Sequence, residues 1–268
     1  MSTLVPDPEF DVTAVNREAW DRRTKLHLSS EFYDLAGFKS GRCSLNSIEL
    51  ELLGEVKDRK VLHLQCHFGQ DTLSLARLGA EVTGVDFSPE AVAVATSLSK
   101  ELSIKADFVC CDVLKLELEA KFDTVYTSYG VLSWLESLEL WADRVADHLK
   151  PGGAFVMVEF HPTLMMYDFE SRKLAYHYFR RHYREEVEGS YAVTDSDQIH
   201  VEHFWTFSLS DVLSPLLARG LRVLDFQEYD YSPYGCFSGM VEEEPGRWRW
   251  ESGVRFPHIF SLKMKKGQ

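Results

Sequence analysis

From residue 60 the chain alternates short apolar runs with amphipathic stretches, and that order leaves few folds open. KVLHLQC reads as a strand, QDTLSLARLG as a helix closed by glycine, and EVTGVDF as a second strand. SPEAVAVATSLSKEL follows as a helix that Ser88 can cap and Pro89 can open, with ADFVCCD and FDTVYTSYG as further strands. SLELWADRVADHLK places Leu138, Trp141, Val145 and Leu149 near helical spacing before PGG breaks the helix and AFVMVEF resumes as a strand. Strands separated by helices predict an α/β protein with a doubly wound, mostly parallel sheet covered on both faces.

The flanks of this repeat are less regular. AVNREAWDRRTKLHLSSEFYDLAGF predicts short amphipathic helices, so residues 1–50 are read as an N-terminal helical cap and 51–160 as the core. After Phe160 the pattern lapses for about 45 residues, too long for a structureless loop, so 161–207 is read as an inserted α+β lid. Within it MMYDFESRKLAYHYFRRHYREE predicts a helix, and EGSYAVTD and QIHVEHFWTF an antiparallel pair. Residues 208–268 complete the sheet through a capped helix, SLSDVLSPLLARG, and strands LRVLDFQEYDY and FPHIFSLKMKK, separated by a turn-rich aromatic stretch.

Composition removes several function classes. A formal net charge of -13 and a pI near 5.2 oppose a surface built to neutralise a phosphate backbone, so nucleic acid is not the expected partner. The five cysteines, Cys43, Cys66, Cys110, Cys111 and Cys236, show no CxxC spacing, which speaks against a disulfide framework or a cysteine zinc site and fits a reducing cytoplasm. MSTLVPDPEFDV has neither a basic n-region nor an apolar h-region, and no run reaches membrane-spanning length; a soluble, unexported monomer or homodimer is expected.

In an open α/β sheet, ligands sit beyond the carboxyl ends of the strands, where helix N-termini offer free N–H groups. Here those ends are CHFGQD, Asp86-Phe87, Asp112-Val113 and TSYG. Asp86, 17 residues past Gly69, is placed to accept hydrogen bonds from both hydroxyls of a ribose. A pyrophosphate would want G-x-G-x-x-G in the first loop, which keeps only Gly69, so a dinucleotide-dependent oxidoreductase is disfavoured. An adenosine ligand without phosphate fits better.

VLHLQCHFGQD, VTGVDFS, FVCCDV, FDTVYTSYGVLSWL and LKPGG stand in the order and spacing of the class I S-adenosylmethionine-dependent methyltransferases, which the chain resembles over residues 55–160. The stretch LHLQCHFGQDTLSLARLGAEVTGVDFS is similar to a bacterial subgroup of small-molecule methyltransferases. The resemblance implies a Rossmann-like seven-stranded sheet with an antiparallel last strand and S-adenosyl-L-methionine as cofactor. It assigns Asp86 to the ribose hydroxyls, Phe87 to the adenine face, and Asp112 with the Val113 N–H to the adenine edge. Ser128 and Tyr129 would border the methionine part and its methyl group, and Gly69 would keep the first turn. His63 stands where an acid is usual, and Gln65 and His67 where glycine is. His67 and Asp71 are therefore assigned to the methionine end, and Tyr33 of the cap, part of the expected lid, is counted among the cofactor contacts.

Methyl transfer from a sulfonium needs alignment and desolvation first, and a base only when the acceptor must lose a proton. Glu159 and His161 in VEFHP, and His203 on the inserted strand, are the candidate bases. His200 and His203 are close in sequence, but strand alternation puts them on opposite faces, and no metal site is expected. Trp20, Trp134 and Tyr231 are candidate acceptor contacts, although such aromatics also serve as core. The reading is methyl transfer to O or N of a small molecule; the alternative is a catalytically silent binding protein of the same fold.

Overall fold

The computed structural model describes residues 11–188, 190, 192, 199–235, 237–251 and 253–268. Three helices come first: α1 (Val12–His27), α2 (Leu35–Lys39) and α3 (Ser47–Leu53). The alternating core follows as β1 (Lys60–Leu64), α4 (Gln70–Arg77), β2 (Glu81–Asp86), α5 (Pro89–Glu101), β3 (Asp107–Cys110), β4 (Phe122–Ser128), α6 (Leu138–His148) and β5 (Leu149–Phe160). The predicted start signals operate: the Ser88 hydroxyl accepts from the Ala91 N–H at 3.1 Å with Pro89 opening α5, and Ser137 caps α6.

Beyond β5 come β6 (Tyr167–Asp168), β7 (Lys173–Leu174), β8 (Arg181–Glu188), β9 (Ile199–Thr206), α7 (Leu209–Ala218), β10 (Leu221–Tyr229), β11 (Met240–Glu244), β12 (Arg247–Trp250) and β13 (Ile259–Lys266). Seven strands form one sheet in the order β10-β13-β5-β4-β1-β2-β3. The pairs β1–β2, β2–β3, β1–β4 and β4–β5 are parallel, whereas β13 runs antiparallel to both β5 and β10. The expected architecture, with its antiparallel last strand, is observed.

Apolar runs without alternation explain the central strands. Val61, Leu62, Leu64, Val125, Tyr126, Phe155, Met157 and Val158 are fully buried, as strands covered on both faces require. Chain order reverses between β1 and β4, so the crevice beyond their carboxyl ends is the switch point of the sheet. No helix among the described residues is long and apolar enough to cross a membrane.

The inserted segment departs from expectation. The helix predicted over residues 165–186 is not formed; among the described residues that stretch holds a 3₁₀ turn at Leu164–Met166, the short β6–β7 pair and β8. Strand β8, rather than EGSYAVTD, partners β9, in register from Arg181↔Thr206 to Glu188↔Ile199. Most of EGSYAVTD lies outside the described residues. Paired aromatics decide the outcome: Tyr183 stacks on its cross-strand partner Phe204 at 5.2 Å and the His182 ring packs tilted against Trp205 at 4.8 Å, contacts that a pleated surface provides and an isolated helix does not.

The stretch read as turn-rich before the last strand contains the β11–β12 hairpin. Pro245-Gly246 makes its turn, with Gly246 at φ +70°.

Candidate functional site

The first loop answers why Gln65 and His67 can stand where glycine is usual. Both adopt left-handed backbone, φ +55° and +49°, as does Gly69 at +81°. A non-glycine residue in that region costs roughly 1–2 kcal/mol, which must be offset by what its side chain or backbone gains. Gln65 donates from Nε2 to the Val131 carbonyl at 2.9 Å, tying this loop to the one after β4. The His67 N–H donates to Asp86 Oδ2 at 2.8 Å, and its ring packs on Phe68, Trp20 and Tyr33. His67 Nε2 also lies 2.9 Å from His27 Nδ1, while burial pushes the His67 ring down to about 3. The imidazole is therefore neutral at physiological pH.

Gly69 is held more strictly. A β-carbon there would lie 2.8 Å from Phe108 Cε1 and 2.9 Å from Ala95 Cβ, in addition to the positive φ. Gly69→Ala should lower stability by about 2–3 kcal/mol through overpacking and backbone strain, read as a reduced urea midpoint at unchanged slope. An unchanged midpoint would mean that the contact relaxes without cost.

At the end of β2, Asp86 is buried and accepts from the His67 N–H and, through Oδ1, from the Ser88 N–H at 2.9 Å. Burial pushes its carboxyl up to about 6, against the pull of those hydrogen bonds. Each oxygen retains acceptor capacity for a hydroxyl. Phe87 is half-buried beside it, and the Cys111 N–H donates to the Asp86 carbonyl at 2.9 Å, joining this end to that of β3. There Asp112 caps a short 3₁₀ turn by accepting from the Leu114 N–H at 3.0 Å, with Val113 buried behind.

On the opposite side of the first loop, the Ser44 hydroxyl donates to Asp71 Oδ1 at 2.5 Å, and Glu49 of α3 is fully buried nearby. Burial, then the Asp71 charge, pushes Glu49 up to about 7; burial also raises Asp71, against the Ser44 hydrogen bond. Ser128 ends β4 on this side and Tyr129 follows it, with the Tyr129 ring 5.8 Å from Phe160 and 5.1 Å from Tyr234. Sequence reasoning did not find Glu49, since only folding brings α3 to the first turn of α4. His63 is a neutral core group: its Nδ1 lies 2.9 Å from Thr72 Oγ1, its ring packs on Tyr126, and burial lowers it to about 3.

The three candidate bases are each engaged in holding the fold. Glu159 is buried and accepts backbone N–H groups from Gly130, Val131, Leu132 and Phe160, so its oxygens hold the loop after β4. His161 is buried, with Nδ1 2.7 Å from Thr163 Oγ1 and Nε2 2.8 Å from Glu228 Oε1 on β10. His203 Nδ1 lies 2.9 Å from His182 Nε2, and its backbone N–H donates to Asn16 Oδ1. His200 instead meets Glu202 on the other face of β9.

Among the aromatics, Trp20 and Trp134 meet edge to face at 5.3 Å, and Trp20 lies 5.3 Å from His67. Tyr33 stacks on His27 at 5.0 Å and meets Phe68 at 4.8 Å. These gather over the first loop. Tyr231 does not join them: Arg247 and Arg249 lie over its ring and Tyr229 beside it, so it belongs to the hairpin side, and Tyr234 is the residue that reaches Tyr129.

Residues 61–153 match the family model described as a methyltransferase domain. A ubiquinone biosynthesis O-methyltransferase from Xanthomonas euvesicatoria pv. vesicatoria (strain 85-10) is 32% identical over 141 residues, covering 51% of this chain and 59% of that protein. The mitochondrial ubiquinone biosynthesis O-methyltransferase of Schizosaccharomyces pombe is 32% identical over 131 residues, covering 45% and 47%. The chain thus spans about half the length of these curated relatives. Among solved structures, an S-adenosylmethionine-dependent methyltransferase from Mesorhizobium loti superposes with a TM-score of 0.61 at 19% identity, covering 85% of this chain and 100% of that one. The glycopeptide N-methyltransferase MtfA in complex with S-adenosylmethionine gives 0.56 at 17% identity, covering 83% and 87%. At these identities the structural likeness establishes the fold.

Proposed function

We propose that this chain is an S-adenosylmethionine-dependent methyltransferase acting on O or N of a small molecule. One observation carries the reading: the segment matching the methyltransferase-domain family forms the switch-point crevice, and Asp86 and Asp112 stand at successive strand ends there. The O-methyltransferase relatives favour oxygen as the acceptor atom.

The residues present suit the cofactor. Asp86 would take the ribose hydroxyls, Phe87 the adenine face, and Asp112 with the Val113 N–H the adenine edge. Gln65 Oε1, buried without a hydrogen-bond partner, is an acceptor that a ligand donor in the first loop would satisfy. Asp71, reinforced by Glu49, would meet the methionine ammonium; bringing a cation to two buried acids restores the ionisation that burial opposes. His67, Ser128 and Tyr129 would border the same end, beneath Tyr33. The bound cofactor supplies an electrophilic methyl group. The chain's part is to align the acceptor and exclude water, with Trp20 and Trp134 forming the aromatic wall.

Calorimetry with S-adenosylmethionine, S-adenosylhomocysteine and NAD tests the proposal, and tight NAD binding without adenosylmethionine binding would sink it. Asp71→Asn and His67→Ala should each weaken S-adenosylhomocysteine by about five- to tenfold, the scale of one lost hydrogen bond or charge contact. Unchanged affinity in both variants would remove them from the methionine end. A second reading, a cofactor-binding protein without activity, draws on the engagement of Glu159 and His161 in the fold. Transfer of labelled methyl to any member of a metabolite mixture decides against it.

A further inference from the structure

The face of α1 that meets the inserted strand carries a buried charge that the cofactor assignments do not use. Asn16 exchanges two hydrogen bonds with the His203 backbone, at 2.7 and 2.9 Å, which fixes α1 against β9. Two helical turns later Arg23 reaches the same strand, where its Nη2 pairs with Glu202, and Glu202 Oε1 also meets His200 Nε2 at 2.5 Å. Arg23 is only 5% exposed, and its guanidinium carbon lies 5.2 Å from the ring centres of both Trp20 and Trp134. Its Nε and Nη1 are buried without a hydrogen-bond partner.

A guanidinium stays charged at any physiological pH, and leaving its donors desolvated and unmatched is costly. Glu202 occupies one of the three nitrogens. The other two sit among the cap, the inserted strand and the loop after β4, beside the two indoles that form the aromatic wall. Resting on the methyltransferase reading, we propose that Arg23 recognises a carboxylate on the acceptor, with Trp20 and Trp134 holding a flat apolar body next to it. The substrate class is then an aromatic or unsaturated carboxylic acid bearing the atom to be methylated. Arg23 is a specificity residue in this arrangement, and Glu202 with His200 positions it.

The test titrates 4-hydroxybenzoate and the shape-matched 4-hydroxybenzamide into protein saturated with S-adenosylhomocysteine. The acid should bind at least about tenfold more tightly, as a charge-assisted hydrogen bond provides. In the double variant Arg23→Met with Glu202→Gln, which leaves neither charge buried alone, that preference should fall below about twofold while S-adenosylhomocysteine affinity stays within about twofold. Arg23→Lys, which keeps the charge in a smaller donor set, should retain part of the preference and guards against misfolding of the double variant. Equal binding of acid and amide to the unsubstituted protein, or failure of the acid to bind, overturns the proposal. So does a large loss of S-adenosylhomocysteine affinity in the double variant, which would give Arg23 to the cofactor's own carboxylate. If the unsubstituted protein binds no S-adenosylhomocysteine, the methyltransferase reading fails instead, and the acid–amide comparison on the ligand-free protein still judges Arg23.

Discussion

Asp86→Ala should weaken S-adenosylhomocysteine binding by about a hundredfold or more, measured by calorimetry at mildly alkaline pH. Two hydroxyl hydrogen bonds to a carboxylate are lost, each about 1.5–3 kcal/mol. The substitution also strands the His67 and Ser88 N–H groups that donate to this carboxylate, so a urea titration is needed to separate loop loosening from ligand contact. The pH dependence gives an independent check with two opposite signs. Burial raises the Asp86 carboxyl from 3.8 to about 6, so the folded state favours the protonated form. Its contribution to stability is fully present below the lower value and is lost as pH rises through about 6. Ribose hydroxyls donate to the ionised form, so affinity should rise with pH across the same window and level off above it. Affinity flat from pH 5 to 8, or an alanine variant binding within threefold of the unsubstituted protein, would show that Asp86 does not hold the ribose.

The alternating core was legible because each local signal agreed with the global fold. KVLHLQC and AFVMVEF are too apolar for a half-exposed strand, and Ser88-Pro89 marks a helix start that the structure uses. The loop carrying Gln65 and His67 was legible in position but not in geometry. Nothing in those two residue types announces left-handed backbone, because the compensation comes from Val131 and Asp86, which are distant in sequence. The inserted segment failed for a related reason: its aromatics fall near helical spacing, and only the cross-strand partners Phe204 and Trp205 select the strand. Glu49 and Arg23 were invisible as site residues. A glutamate in ELELL and an arginine in WDRR are ordinary surface residues until folding buries one beside Asp71 and the other against Glu202.

Glu159 holds backbone in a way that its place in the sequence does not announce. A carboxylate at the end of a central strand, next to a candidate active site, suits a general base, yet its lone pairs are taken by the backbone of residues 130–132 and 160. Glu159→Ala should therefore cost about 3–5 kcal/mol, since it removes a buried charged acceptor and leaves four N–H groups without one. Glutamine is a poor replacement: it offers one acceptor oxygen and turns an NH₂ group toward the remaining donors. Both variants should lower the urea midpoint, and both should reduce turnover, because the loop they release carries Trp134. The discriminating readout is the pH–rate profile of whichever variant remains folded. A structural carboxylate leaves the ionising limbs where they were and scales the rate down uniformly, whereas loss of a general base removes one limb. An alanine variant that unfolds at the same urea concentration as the unsubstituted protein would mean that the four hydrogen bonds do not hold the loop.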